Sequence, residues 1–130
     1  MKRVMVDMSA TLIHHGHIRL LHTASKLGAV IVALTTDDEV IKKKGYQPEL
    51  NFAARQEILE SIKYVSEVVP SPWLISKDFL DAHSIDVLLH GHDNSNDIPK
   101  HRLLVIPRTE GVSSSDIREK SYQIVKHLKP

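Results

Sequence analysis

The chain has no cysteine among its 130 residues, which excludes disulfides, thiolate nucleophiles and cysteine-ligated zinc. Glycine and proline are scarce, at 5 and 6, and no repeat, linker or low-complexity stretch interrupts the sequence. With 42% hydrophobic and 25% charged residues, this is the profile of one compact globular domain spanning residues 1–130. Excess charge is missing as well. The 17 Lys and Arg against 16 Asp and Glu leave a formal charge of +1, too little to draw the chain toward nucleic acid or an anionic membrane. Any anion binding has to be local. No apolar run is long enough to span a bilayer, and "MKRVMVDM" leads straight into a short strand pattern, so a cytoplasmic location is expected.

What is present is alternation. "RVMVDM" (Arg3 to Met8), "AVIVALT" (Ala29 to Thr35), "SEVVP" (Ser66 to Pro70), "DVLLH" (Asp86 to His90) and "LLVIP" (Leu103 to Pro107) read as short buried strands. Between them, "HIRLLHTASKLG" sets Ile18, Leu21, Ala24 and Leu27 roughly on one face before Gly28. "NFAARQEILESIKYV" does the same with Ile58, Leu59 and Ile62. "SKDFLDAHS", opening on Ser76, and "SSSDIREKSYQIVKHL" are further helices with serine caps. The order predicts an α/β, doubly wound sheet of five parallel strands with helices on both faces. Ligands of such a sheet sit beyond the carboxyl ends of the strands, where the strand order reverses.

"SATLIHHGHIRLL", Ser9 to Leu21, falls between the first strand and the first helix, where free backbone N–H groups and the positive end of the helix dipole attract anions. Gly16 lets a ligand approach the backbone. His14 and His17, three apart, can both face one phosphate, while His15 points elsewhere. Two other readings stand beside this one: a capped structural turn, and a metal site completed by "HGHD" (His90 to Asp93) after the fourth strand. A second segment of anion-binding type follows the fifth strand in "PRTEGVSSSDIR", Pro107 to Arg118. Arg108 offers a donor fork, Gly111 relieves a turn, and Ser113, Ser114 and Ser115 bring hydroxyls and amides to a helix start, where their ordinary role is capping. Both segments lie at strand ends of one sheet, so they can face the same ligand.

The two segments together resemble the cytidylyltransferase-like nucleotidyltransferases. "HHGH" at 14–17 is similar to their His-x-Gly-His signature, and "RTEGVSSSDI" at 108–117 to their Arg-Thr-x-Gly-(Ile/Val)-Ser signature, in the same order. The likeness covers nearly the entire chain and is strongest to the glycerol-3-phosphate branch. "VDMSATLIHHGH" is similar to a variant found in cytidylyltransferase domains linked with phosphonate biosynthesis. The resemblance implies a Rossmann-like fold and transfer of CMP from CTP to a small anionic acceptor, phosphate or phosphonate. It further implies Mg²⁺ carried mainly by the triphosphate and a homodimer, with no nucleic acid or membrane partner.

Residue by residue, the resemblance implies catalytic roles for His14, His17, Lys44 and Arg108. It implies nucleotide contacts from Ser9, Ala10, His14, Gly16, His17, Gly91, Asp93, Arg108, Thr109, Gly111, Ser113 and Ser114. Thr11, Lys44 and Arg55 are implied to bind the acceptor, with "KKKGYQPELNFAAR" as a mobile basic loop bearing Lys44, and Lys42 and Lys43 solvated. Two positions depart from the family pattern. Met8, Ser9, Ala10 and Thr11 stand where Gly-Thr-Phe-Asp is usual, and Gly91, His92, Asp93 and Asn94 where Gly-Asp-Asp-Trp is common. Trp73 and Tyr64 are expected to pack as ordinary core or helix aromatics, and His22, His83, His101 and His127 to be structural or exposed.

Overall fold

A computed structural model describes residues 2–91, 96–107, 109 and 111–128. Five parallel strands form one sheet: β1 (Arg3–Met8), β2 (Ala29–Thr35), β3 (Glu67–Ser71), β4 (Val87–His90) and β5 (Leu103–Val105). Their order is β3-β2-β1-β4-β5. The chain winds one way from β1 to β3 and the other way through β4 and β5, so the reversal falls between β1 and β4. A crevice opens at that point beyond the carboxyl ends of the strands.

Both faces of the sheet are covered, which is why β1 and β2 read as continuous apolar runs. Side chains alternate across the pleat. Val4, Val6, Met8, Val30, Val32 and Leu34 point into one core with Leu21 and Ala24 of α1 (His15–Ser25) and Leu59 of α3 (Phe52–Glu60). Met5, Ile31, Ala33 and Leu88 point into the other with Leu80 of α4 (Lys77–Ala82). Asp7 falls in the register of the second face at the sheet's open end, where the core gives way to the crevice. Serine caps α4, where Ser76 accepts from the Phe79 N–H, and α5 (Ser114–Val125), where Ser113 accepts from the Asp116 N–H. Caps of this kind contribute about 1 kcal/mol each.

The segment expected to be a mobile basic loop is in part a helix. Asp37–Lys44 forms α2, capped by Thr36 and stopped by Gly45 at φ 81°. Asp37, Asp38 and Glu39 occupy its first turn and Lys42, Lys43 and Lys44 its last. Each charge lies at the end of the helix dipole that stabilises it. The three lysines are thus a helix terminus. β5 is also shorter than expected, ending at Val105.

Candidate active site

The crevice holds a cavity of about 550 Å³, bordered by the β1–α1 loop, the end of β4, the end of α2, Ile106, Pro107, Thr109 and residues 112–115, a volume in the range of small-ligand sites. Ser9, Ala10, Thr11, His14, Gly16, His17, Lys44, Gly91, Thr109, Ser113 and Ser114 all border it. Asp93 and Arg108 lie outside the described residues, as do His92 and Asn94. Gly111, at φ 76°, shapes the turn before α5 without bordering the cavity.

The two histidines are fixed by backbone amides. His14 caps α1: its Nδ1 accepts from the Gly16 N–H at 3.1 Å. The His17 Nδ1 accepts from the His14 N–H, also at 3.1 Å. A ring nitrogen that accepts a hydrogen bond carries no proton, so in both neutral rings the proton sits on Nε2. The rings lie 4.0 Å apart between centroids and both border the cavity. Each imidazole is an N–H donor of set orientation at a helix N-terminus, an arrangement suited to phosphate oxygens. His15 is exposed and does not reach the cavity. No group of three or more His, Asp or Glu side chains spaced for a metal ion occurs among the described residues.

A single hydroxyl joins the two signature segments. Ser114 Oγ donates to the Leu12 carbonyl at 2.8 Å and accepts from the Leu12 N–H at 3.2 Å. This locks the start of α5 to the β1–α1 loop across 102 residues of sequence. The Ser114 hydroxyl is thus a brace between the two segments, and both Ser113, which also caps α5, and Ser114 border the cavity. Gly16 completes the junction. A Cβ there would come within 2.9 Å of His14 Cε1 and 3.2 Å of Val112 Cγ1. Gly16→Ala should consequently push the His14 ring or α5 aside and destabilise the protein by about 1–3 kcal/mol. It should also lower ligand affinity; a variant with unchanged melting temperature and unchanged CTP binding by calorimetry would show that the contact yields freely.

Thr11 is buried, and its Oγ1 accepts from Arg118 Nη2 at 3.2 Å. Arg118 forms a two-point ion pair with Glu49, Nη2 to Oε1 being 2.8 Å, and its guanidinium lies 4.6 Å from the centre of the Tyr46 ring. The clasp ties the α2–α3 connection, which follows Lys44 and carries Tyr46 to the cavity, onto α5. Sequence reading missed it because its members are far apart in the chain. Arg118's hydrogen bond holds the Glu49 carboxyl below its ordinary pKa, and Glu49 in turn raises that of Arg118. A depressed carboxylate stabilises fully above its unfolded pKa, and the contribution is lost as pH falls through the folded value. Cleavage of the 45–51 segment by an acid-active protease should therefore rise as pH drops below the ordinary carboxylate range. Glu49→Gln should be cleaved faster already at mildly acidic pH, and equal rates for both proteins throughout would remove the clasp.

Asp7 has no place in the sequence expectations, and His90 entered them only as part of "HGHD" in the metal reading. Asp7 and His90 meet across the β1–β4 reversal, His90 Nδ1 standing 2.6 Å from Asp7 Oδ1 with the Asn96 amide 3.3 Å from Oδ2. Lys44 reaches the cavity with its Nζ 5.6 Å from the centre of the Trp73 ring. Tyr64 packs on the core and stacks against His22, as an ordinary aromatic would.

Arg55, which the resemblance implies to bind the acceptor, is fully buried and is not among the residues that line the cavity. Its guanidinium is spent on the protein itself, pairing with Asp37 and donating to backbone carbonyls. A charge this deep persists only when paired and hydrogen-bonded.

Comparison with known proteins decides the family. The cytidylyltransferase-like family model matches residues 9–120. The chain belongs to the cytidylyltransferase-like family. It is 35% identical over 130 residues to glycerol-3-phosphate cytidylyltransferase of Staphylococcus aureus (strain NCTC 8325 / PS 47), covering 94% of this chain and 96% of that protein. It is 37% identical over 124 residues to the protein of the same name from Bacillus subtilis (strain 168), with 92% and 96% covered. Ethanolamine-phosphate cytidylyltransferase of Mus musculus is 32% identical over 88% of this chain, which spans only 31% of that longer protein. The fold matches that of a lipopolysaccharide core biosynthesis protein from Thermoplasma volcanium GSS1, with a TM-score of 0.64 at 18% identity over 96% of this chain and 89% of that one. Membership of the cytidylyltransferase-like family accounts for both signatures facing one cavity. No helix among the described residues is long and apolar enough to cross a membrane.

Proposed function

We propose that the chain transfers CMP from CTP to a small acceptor bearing a phosphate or phosphonate group, glycerol 3-phosphate being the first candidate. The observation that carries this reading is the pair of Nε2–H imidazoles, His14 and His17, held in one wall with the α5 start by the Ser114 brace. An acceptor oxygen attacks the α-phosphorus in line, a new P–O–P bond forms, and the bond to the β-phosphate breaks as pyrophosphate leaves. Nothing in this exchange needs a covalent intermediate. The protein's task is to position the two anions and to stabilise the charge that grows on α-phosphate and leaving group.

In this proposal His14 and His17 donate to the reacting phosphates. Ser9, Ala10, Gly16, Gly91, Thr109 and the α5 start with Ser113 and Ser114 enclose the nucleotide, with Gly111 shaping the turn that leads into α5, helped by Arg108 and Asp93, and Lys44 and Thr11 serve the acceptor. Mg²⁺ arrives with the nucleotide: Asp7 is the described carboxylate on the cavity wall, and its oxygens face His90 and Asn96. Phosphate oxygens and water would then hold the ion, which supplies charge neutralisation to the leaving pyrophosphate. The setting is the cytoplasm, where CTP is made. A homodimer belongs to the same proposal, supported by the exposed Tyr122, Ile124, Val125 and Leu128 on and just after α5; sedimentation equilibrium tests it.

The deciding experiment for substrate is a pyrophosphate-release screen of four nucleoside triphosphates against glycerol 3-phosphate, phosphocholine, phosphoethanolamine, simple phosphonates and uncharged polyols. Release is expected with CTP and at least one phosphate or phosphonate, and with no polyol. Release with ATP in place of CTP would refute the cytidylyl assignment.

A further inference from the structure

We infer that Arg55 is a positioning residue for the nucleotide loop, acting from beneath it through the Ser9–Ala10 peptide; the inference rests on the functional reading above. The guanidinium makes four hydrogen bonds that join separate pieces of the fold. Nη1 donates to the Ser9 carbonyl at 2.6 Å and to the Thr35 carbonyl at 2.9 Å. Nε donates to the Leu50 carbonyl at 2.9 Å, and Nη2 pairs with Asp37 Oδ1 at 2.6 Å. One planar fork thus references the β1–α1 loop to the end of β2, the start of α2 and the entry to α3.

The loop needs such a reference. Ala10 is buried and sits at φ 45°, a left-handed conformation that costs a non-glycine residue roughly 1–2 kcal/mol and survives only where the surroundings impose it. Its φ follows the Ser9–Ala10 peptide, whose carbonyl Arg55 holds. A trans peptide is planar, with C=O and N–H on opposite edges. Pointing the Ser9 carbonyl down to Arg55 therefore turns the Ala10 N–H the other way, toward the side on which Ser9 and Ala10 border the cavity. No described residue accepts a hydrogen bond from that N–H. A buried amide with no partner among the described residues is suited to a ligand oxygen. Arg55 contributes its charge to the site without touching substrate, by fixing the direction of one donor.

Two variants separate positioning from bulk stability. Arg55→Lys keeps a cation near Asp37 but loses the fork, so the Ser9 carbonyl is no longer held. Asp37→Asn removes the ion-pair partner and leaves the Arg55 to Ser9 bond in place. Both should melt lower than wild type. Only Arg55→Lys should weaken CTP binding in calorimetry, by about tenfold or more, with the KM for glycerol 3-phosphate unchanged and the Ala10 amide resonance of the ligand-free protein displaced. A rise in acceptor KM alone would restore the acceptor-binding role and overturn the inference. Equal CTP affinity in Arg55→Lys and Asp37→Asn would overturn it too, leaving Arg55 a purely structural pair. The amide shift and CTP calorimetry need no turnover. A wild type that binds CTP but releases no pyrophosphate would thus refute the functional reading while leaving Arg55 under test.

Discussion

Replacing His17 by alanine is expected to lower kcat by about 10²–10³, corresponding to roughly 2.7–4 kcal/mol of transition-state stabilisation, the usual loss for one preorganised donor at a developing oxyanion. The ring is held by the His14 N–H at Nδ1, so its Nε2–H is aimed before substrate arrives and needs no reorganisation during reaction. Alanine also removes half of the reciprocal cap at the start of α1, which should cost about 0.5–2 kcal/mol of stability. The protein should still fold, because Leu21 and Ala24 anchor the helix in the core. Circular dichroism and steady-state kinetics together check this. Near-normal kcat in a folded variant would take His17 out of the reaction.

Lys44→Ala is expected to give the second largest effect, a loss of about 10- to 150-fold in kcat/KM for the acceptor, the worth of one charge-assisted hydrogen bond. Lys44 ends α2, and Gly45 then turns the chain away with φ 81°, which sets the ammonium at the cavity mouth against Trp73. The expected pattern is a raised acceptor KM with CTP binding nearly unchanged. Stability should shift little, since Lys44 is exposed at the helix end. If the CTP affinity falls and the acceptor KM does not, the lysine serves the nucleotide instead.

The parts of this fold that were legible from sequence are those governed by local pattern. β1 and β2 were bounded to the residue, because an apolar run buried on both faces ends sharply where Asp7–Met8 and Thr35 meet the crevice. Ser76 capped its helix as expected. In α2 every terminal signal was present: Thr36 as cap, three acids, three lysines and Gly45. Its apolar content is only Val40 and Ile41, so periodicity did not reveal it and the lysines passed for a loop. The remaining surprises are all non-local. Nothing in "NFAARQEIL" says that Arg55 faces inward, because depth depends on what α2 and the β1–α1 loop place around it. Ser114 and Leu12, Arg118 and Glu49, and Asp7 and His90 are joined only by the winding of the sheet. The signature histidines were found by type and spacing, but the backbone amides that fix their tautomers belong to the folded turn.

The most direct test of the account is ³¹P NMR of the wild-type protein incubated with CTP, Mg²⁺ and glycerol 3-phosphate, and in parallel with a simple phosphonate. The triphosphate signals should decline as pyrophosphate appears in equal amount, and a new pair of coupled phosphorus signals should mark the P–O–P link between CMP and acceptor. Bound CTP that stays intact with every acceptor, or free CMP without a coupled product, would contradict it.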